Sequence, residues 1–135
     1  MLGELLGELR GKMTGTRVLP PDGEYPKVEV SFQESGKFLG MEATEIGTYW
    51  SITRSDGTLY GEGHGVLMTK DGSTATWVGS GVGRFTGKGM GTSFRGAIYY
   101  HTGSRNLSRL NNIAVVYEHE CDENGNVQSK AWEWK

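Results

Sequence analysis

Gly57-Thr58-Leu59-Tyr60-Gly61-Glu62-Gly63-His64-Gly65 and Gly79-Ser80-Gly81-Val82-Gly83-Arg84-Phe85-Thr86-Gly87-Lys88-Gly89 decide the fold. In both stretches glycine returns every second residue inside segments that otherwise read as strands. Side chains two apart along a strand face the same side of a sheet, so these glycines leave bare stripes on one face. A bare stripe lets a strand bend sharply or lets another surface approach its backbone, and a sheet curling into a small barrel needs both.

Working outward, the chain reads as strand, turn, strand. Val28 to Gln33 alternates, with Val28, Val30 and Phe32 on one side and Glu29, Ser31 and Gln33 on the other. A turn near Ser35-Gly36 leads into Met41-Glu42-Ala43-Thr44. Gly47 predicts a bulge before Tyr49-Trp50-Ser51-Ile52-Thr53. Asp56-Gly57 and Asp71-Gly72 are two-residue hairpin signals on either side of a strand from Thr58 to Thr69. Further strands follow over 74–85, 90–102 and 110–121, the last ending in an acidic loop, Asp122-Glu123-Asn124-Gly125-Asn126. The final strand runs from Val127 to Lys135.

At the start, Leu2, Leu5, Leu6 and Leu9 fall at helical spacing and admit a short helix. Gly3, Gly7 and Gly11 each weaken it by about 1 kcal/mol relative to alanine. A strand over 11–19 follows, broken at Pro20-Pro21-Asp22-Gly23. Gly103 to Arg109 is a long polar connection with room for one helical turn.

About eight strands joined by short turns force antiparallel neighbours, and such a meander closes on itself because closure removes its edges. The expectation is an all-β chain: an up-and-down antiparallel barrel with little or no helix, one domain over residues 1–135. A two-sheet sandwich is the alternative.

Composition narrows the function classes. The chain has 135 residues, 22 glycines and a net charge of −2, with both signs interspersed. Without a basic block, nucleic acid is not an expected partner. The single cysteine, Cys121, cannot pair within the chain and suggests a reducing compartment. The N-terminal stretch has no basic n-region, and no apolar run approaches the ~20 residues of a membrane span. A cytoplasmic protein without a membrane partner is expected. Two strands carry apolar residues on both faces: Met90, Phe94, Ile98 and Tyr100 oppose Ala97 and Tyr99, and Ala114 and Val116 oppose Ile113, Val115 and Tyr117. Such strands are covered outside as well as inside, which predicts a homo-oligomer, dimer or trimer.

Val78-Gly79-Ser80-Gly81-Val82-Gly83-Arg84-Phe85-Thr86-Gly87-Lys88-Gly89, followed by a hydrophobic strand, resembles the strand-turn-strand signature of the allene oxide cyclase and dirigent barrel superfamily. Small bacterial proteins of unknown function share that barrel. The resemblance implies a barrel cavity for a hydrophobic small molecule and trimeric assembly. Its motif is built of glycine, so it reports backbone geometry and transfers no functional residue.

No catalytic or metal motif stands out, and no cofactor or metal is expected. Gly61 to Gly65 lacks metalloprotease spacing, and no helix follows the glycine repeat to make a phosphate loop. His64, His101 and His119 lie on different strands. They either converge on a metal or occupy ordinary surface positions, and His119, between Glu118 and Glu120, reads as solvent-facing. The candidate ligand-binding residues are Tyr60, Glu62 and His64 on one strand face and Arg95, Tyr99 and His101 on another. Pointing inward, they would meet a small apolar or amphipathic ligand with carboxylate, imidazole, phenol and guanidinium groups. Pointing outward, they would form cross-strand pairs on a surface. The leading function is binding of a small, partly apolar molecule inside the barrel. The alternatives are a cyclase or isomerase using the same cavity and a purely structural oligomeric barrel.

Overall fold

The computed structural model describes residues 1–135. Eight strands form one closed antiparallel barrel in sequence order: β1 (Leu2–Asp22), β2 (Tyr25–Phe38), β3 (Met41–Thr53), β4 (Leu59–Thr69), β5 (Thr74–Phe85), β6 (Thr92–His101), β7 (Ala114–Cys121) and β8 (Asn126–Trp134). Closure comes from β1, which pairs with β2 along one edge and β8 along the other. No helix is long and apolar enough to cross a membrane.

The N-terminal leucines are strand, not helix. Between Leu5 and Gly7 the β1–β8 register slips, so that two steps along β1 match one along β8. This bulge turns Leu6 inward together with Gly7 and Leu9. A period of two interrupted by a bulge imitates helical spacing. β1 also runs on through Pro20-Pro21, and the chain turns only at Gly23, whose φ is +62°. There β1 pairs with β2 alone, so its free edge tolerates residues without an amide hydrogen.

Gly47 makes no bulge; the β2–β3 ladder runs through it without a register change. Its missing side chain makes room instead, because a Cβ there would lie 2.6 Å from the Phe32 ring and 3.0 Å from that of Trp77. The hairpins at Asp56-Gly57 and Asp71-Gly72 form where expected, with longer loops. In each, the glycine amide bonds the carbonyl three residues back (Arg54 and Thr69), and the glycine takes a left-handed φ of +86° or +89°. Gly125 repeats the arrangement onto Asp122. A type I turn followed by a left-handed glycine fits a three-residue hairpin connection.

The connection before β7 is a 3-10 helix, Arg105–Asn112, which takes Leu110 out of the strand expected from residue 110. Leu107 and Leu110 are fully buried. The helix is tied at one side through Asn106 to Asp71 in the β4–β5 turn (2.6 Å). At the other, Arg109 reaches Glu4 of β1 (3.1 Å) and Glu133 of β8 (3.4 Å). It therefore spans one end of the barrel and plugs it with two leucines.

Candidate functional site

Alternating burial along the strands assigns the interior. On β4 and β5 the inward row is Leu59, Gly61, Gly63, Gly65, Leu67 and Ala75, Trp77, Gly79, Gly81, Gly83, while the residues between them are exposed or half-buried. The stripe of glycines therefore faces inward, and large side chains lie over it. A Cβ added at Gly65 would sit 2.5 Å from the Trp77 indole; one added at Gly83 would sit 2.7 Å from the Phe94 ring.

That parity sends the predicted ligand-binding residues outside. Glu62, His64, Arg95, Tyr99 and His101 are exposed or half-buried, as is Tyr60, all on the outer wall. There Tyr60 donates to Glu62 (2.8 Å) and packs edge-on against Trp50 at 5.9 Å. Arg95 pairs with Glu120 at 2.8 Å and Glu118 at 3.7 Å. Tyr99 stands opposite Val78 in the β5–β6 ladder. The two rows do not meet in a cavity: only Glu62 borders the interior one, and the glycines alternating with Glu62 and His64 occupy the inward positions. The histidines do not converge either: His64 and His101 are outside, and His119 is buried. Of the tryptophans, Trp77 alone belongs to the buried core; Trp50 stacks outside under the Lys27 ammonium at 4.4 Å.

The interior polar groups are ones that the sequence does not advertise. Glu34 of β2 and Glu45 of β3 are direct partners in the ladder, and both point inward, 1% and 6% exposed. His119 of β7 and Ser129 of β8 are likewise cross-strand partners, with Nδ1 2.6 Å from Oγ. Ser129 Oγ donates to Glu34 Oε1 at 2.8 Å, joining the two pairs. With Ser129 donating to Glu34, the His119 tautomer that completes the network is the one protonated on Nδ1, which leaves Nε2 as an acceptor. Phe32 and Tyr49 pack on the imidazole, with ring centroids 4.9 and 5.9 Å away.

The signal for these residues is parity. Glu34 continues the inward row Val28, Val30, Phe32, and Glu45 falls between Ala43 and Gly47 on the inward row of β3. A carboxylate on a core parity is the feature to look for. His119 shares parity with Val115 and Tyr117, and its acidic neighbours Glu118 and Glu120 face the other way.

Burial sets the protonation of this cluster. Desolvation, with the Glu45 charge alongside, pushes the Glu34 carboxyl up to about 8. Desolvation raises Glu45 to about 7, opposed by hydrogen-bonding interactions with Glu34 and the Trp77 indole. No buried lysine or arginine offsets either charge. Two carboxyls in one dry site resist ionising together, so near neutrality the pair holds a proton. Desolvation also lowers His119 to about 4 and keeps the imidazole neutral. Burial above all pushes Tyr49 and Tyr100 upward, helped at Tyr49 by Cys121, Tyr117 and Glu34 and at Tyr100 by Glu45 and Glu34.

A cavity of about 70 Å³ lies among these groups, lined by Glu45, Tyr49, Trp77, Tyr100, His119 and Ser129 together with apolar side chains. Three buried polar atoms lack a hydrogen-bond partner: Glu34 Oε2, Trp77 Nε1 and His119 Nε2. Trp77 Nε1 favours the Glu45 charge without reaching hydrogen-bond geometry. Unsatisfied buried polar groups cost roughly 1–3 kcal/mol each, and two of the three belong to residues that line the cavity, Trp77 and His119, so the site gains from an occupant.

No protein-family model matches the chain, and neither does any curated protein. Solved structures do. The chain is similar to a β-barrel-like protein from Acinetobacter baumannii at 15% identity, covering 100% of this chain and 96% of that one with a TM-score of 0.83. A conserved protein of unknown function from Rhodopseudomonas palustris matches at 14% identity, 98% and 97% coverage and a TM-score of 0.82. An enzyme from Penicillium herquei matches at 18% identity, 96% and 92% coverage and a TM-score of 0.68. At these identities the likeness is one of fold: a small closed β-barrel.

Proposed function

We propose that the protein binds a small, partly apolar molecule inside the barrel, over the Glu34–Glu45 carboxyl pair. The observation that carries this reading is the interior cavity, where aromatic walls surround buried polar atoms that have no partner within the protein. A barrel evolved only for rigidity gains more from leucine than from two buried glutamates. The glycine signature's resemblance to the allene oxide cyclase and dirigent barrels, whose cavities hold small hydrophobic molecules, points the same way. About 70 Å³ admits an occupant of a few heavy atoms. Native mass spectrometry of the purified protein, with a thermal-shift panel of small apolar and amphipathic compounds, tests the reading. Mass lost on denaturation, or a compound that raises the melting temperature in wild type and not in Trp77→Phe, supports it; no bound mass and no responding compound overturn it.

A second reading, a cyclase or isomerase acting in the same cavity, is favoured by one observation. The Glu34–Ser129–His119 chain connects a carboxyl to an imidazole whose free nitrogen meets the same space, so a proton can be handed along it. The enzyme from Penicillium herquei with a similar barrel is consistent with this reading.

We also infer that the barrel self-associates through its outer wall. Val78, Val82 and Tyr99 are each more than half exposed, with Ile46 and Val66 alongside. A largely apolar patch of this kind, with Arg95 beside Val82 in the ladder, suits a symmetric self-association.

A further inference from the structure

The chemistry of the occupant can be narrowed further, resting on the interior-ligand reading above. Glu34 and Glu45 are ladder partners in the same dry space, and no lysine or arginine of the chain is buried with them. Lys130 borders the cavity, but its ammonium is engaged by Glu8 of β1, 3.6 Å away and partly exposed. The interior therefore has acid groups without a base to match: its only buried imidazole is neutral and presents an acceptor. Around the pair stand Tyr49 from β3, Trp77 from β5, Tyr100 from β6, and His119 and Tyr117 from β7. Of the unpartnered atoms, Glu34 Oε2 and His119 Nε2 accept hydrogen bonds, and the Trp77 N–H is a donor beside Glu45. What is missing is a donor group carrying positive charge.

We propose that the polar end of the occupant is an organic ammonium group, seated against the Glu34–Glu45 pair with its short apolar part among the aromatic rings. An ammonium N–H faces Glu45, which lines the cavity, and Trp77 N–H turns onto the same carboxylate; Glu34, its ladder partner held by Ser129, adds its charge from behind the lining. His119 Nε2 accepts from a further donor of the occupant. Electron-rich ring faces favour a cation over a neutral group of equal size. A bare metal ion fits less well, because no set of three acidic, histidine or cysteine side chains converges at metal-ligand spacing. When the cation arrives, the proton held between the carboxyls leaves, so both ionise against the new charge.

The ionisable groups facing the pair are Tyr49, Tyr100, Tyr117, His119 and, through Tyr49, Cys121, with the Lys130–Glu8 ion pair at the cavity's edge. Burial keeps all four aromatic groups uncharged near neutral pH, so the carboxyl pair governs the pH dependence. Amine affinity should rise as pH climbs through about 7 to 8, by up to roughly tenfold per pH unit for one displaced proton.

The test compares two molecules of equal shape, n-propylammonium chloride and n-propanol, by calorimetric and NMR titration of the wild-type protein at about pH 6 and pH 8.5. Expected are preference for the amine by about tenfold or more at the higher pH, tighter amine binding there than at pH 6, and loss of that preference in Glu45→Gln. Glu42→Gln, an exposed carboxylate on the outer wall, should bind as wild type does. Propanol bound as tightly as the amine, or the amine rejected, overturns the ammonium assignment and leaves the interior-ligand reading standing. Neither compound bound, with no adduct in the native mass spectrum, removes both. The wild-type comparison decides the matter even if a buried variant fails to fold.

Discussion

Glu34 and Glu45 stand directly opposite each other on β2 and β3, both turned into the barrel, with Ser129 donating to Glu34 at 2.8 Å. A cross-strand pair of like charges is unfavourable on a surface and more so in a core. Their shared position is therefore carried at a cost to stability, and that cost should be visible as pH changes.

The folded-state values of both carboxyls, about 8 and about 7, lie above the ordinary 4.5. The unfolded chain thus loses these protons first, and the stability linked to the protonated pair, complete at low pH, drains away as pH rises toward 8. His119 has the opposite sign: its folded value of about 4 lies below 6.5, so it costs stability as pH falls between those values. The two slopes oppose each other below about pH 6.5, and above it the carboxyl pair acts alone. Urea melts should show wild type weakening by a few kcal/mol, on the order of 3, between about pH 6.5 and 9. The double variant Glu34→Gln, Glu45→Gln should show a flat profile over that range; an equal decline in the double variant would mean another group is responsible.

Ser129→Ala cuts the only link between the imidazole and the carboxyl pair. It should cost about 1–3 kcal/mol, because Glu34 Oε1 and His119 Nδ1 both lose their partner. Imidazole nitrogen shifts in the wild-type protein should report the Nδ1–H tautomer at neutral pH, and Ser129→Ala should shift the balance toward Nε2–H. An Nε2–H tautomer in wild type would reverse the direction of the chain.

Gly65→Ala tests the inward glycine stripe. The added methyl would enter the space of the Trp77 indole, which is confined on another side by the Gly47 position, and should cost about 1–3 kcal/mol. Gly15→Ala on β1 has nothing within 4 Å and should be neutral or stabilising by about 0.5 kcal/mol. Equal effects from the two in thermal melts would mean that backbone entropy, not packing, explains the glycines.

Sedimentation velocity at micromolar concentration should find a dimer or trimer. Val78→Lys, placing charge opposite Tyr99, should shift it to monomer without changing the far-UV spectrum. A wild-type monomer would remove the outer-wall interface.

Much of the barrel is legible in the chain. The three Asp-Gly and Asn-Gly turns lie at Gly57, Gly72 and Gly125, because only a residue comfortable at positive φ closes those loops. The alternation of Val28, Val30 and Phe32 also reads correctly as one face of a strand, which closure turns inward. What misleads is local: a bulge at Leu5–Gly7 that mimics a helix, and Gly47, where absence of a side chain serves a neighbouring ring rather than a kink. The site is less legible for a different reason. Polar residues flanked by glycines look like cavity walls, whereas the glycines take the inward parity and Tyr60 and His64 the outward one; of these three polar residues only Glu62 borders the cavity.

By itself the sequence determined that this chain is a closed all-β meander, since alternation and turn chemistry act over a few residues and need no partner. Only the tertiary structure decided which face is the inside and which polar groups share it. Parity names two faces but does not label them; closure does, by bringing Glu34, Glu45, His119 and Ser129 from four strands into one space that no run of sequence contains.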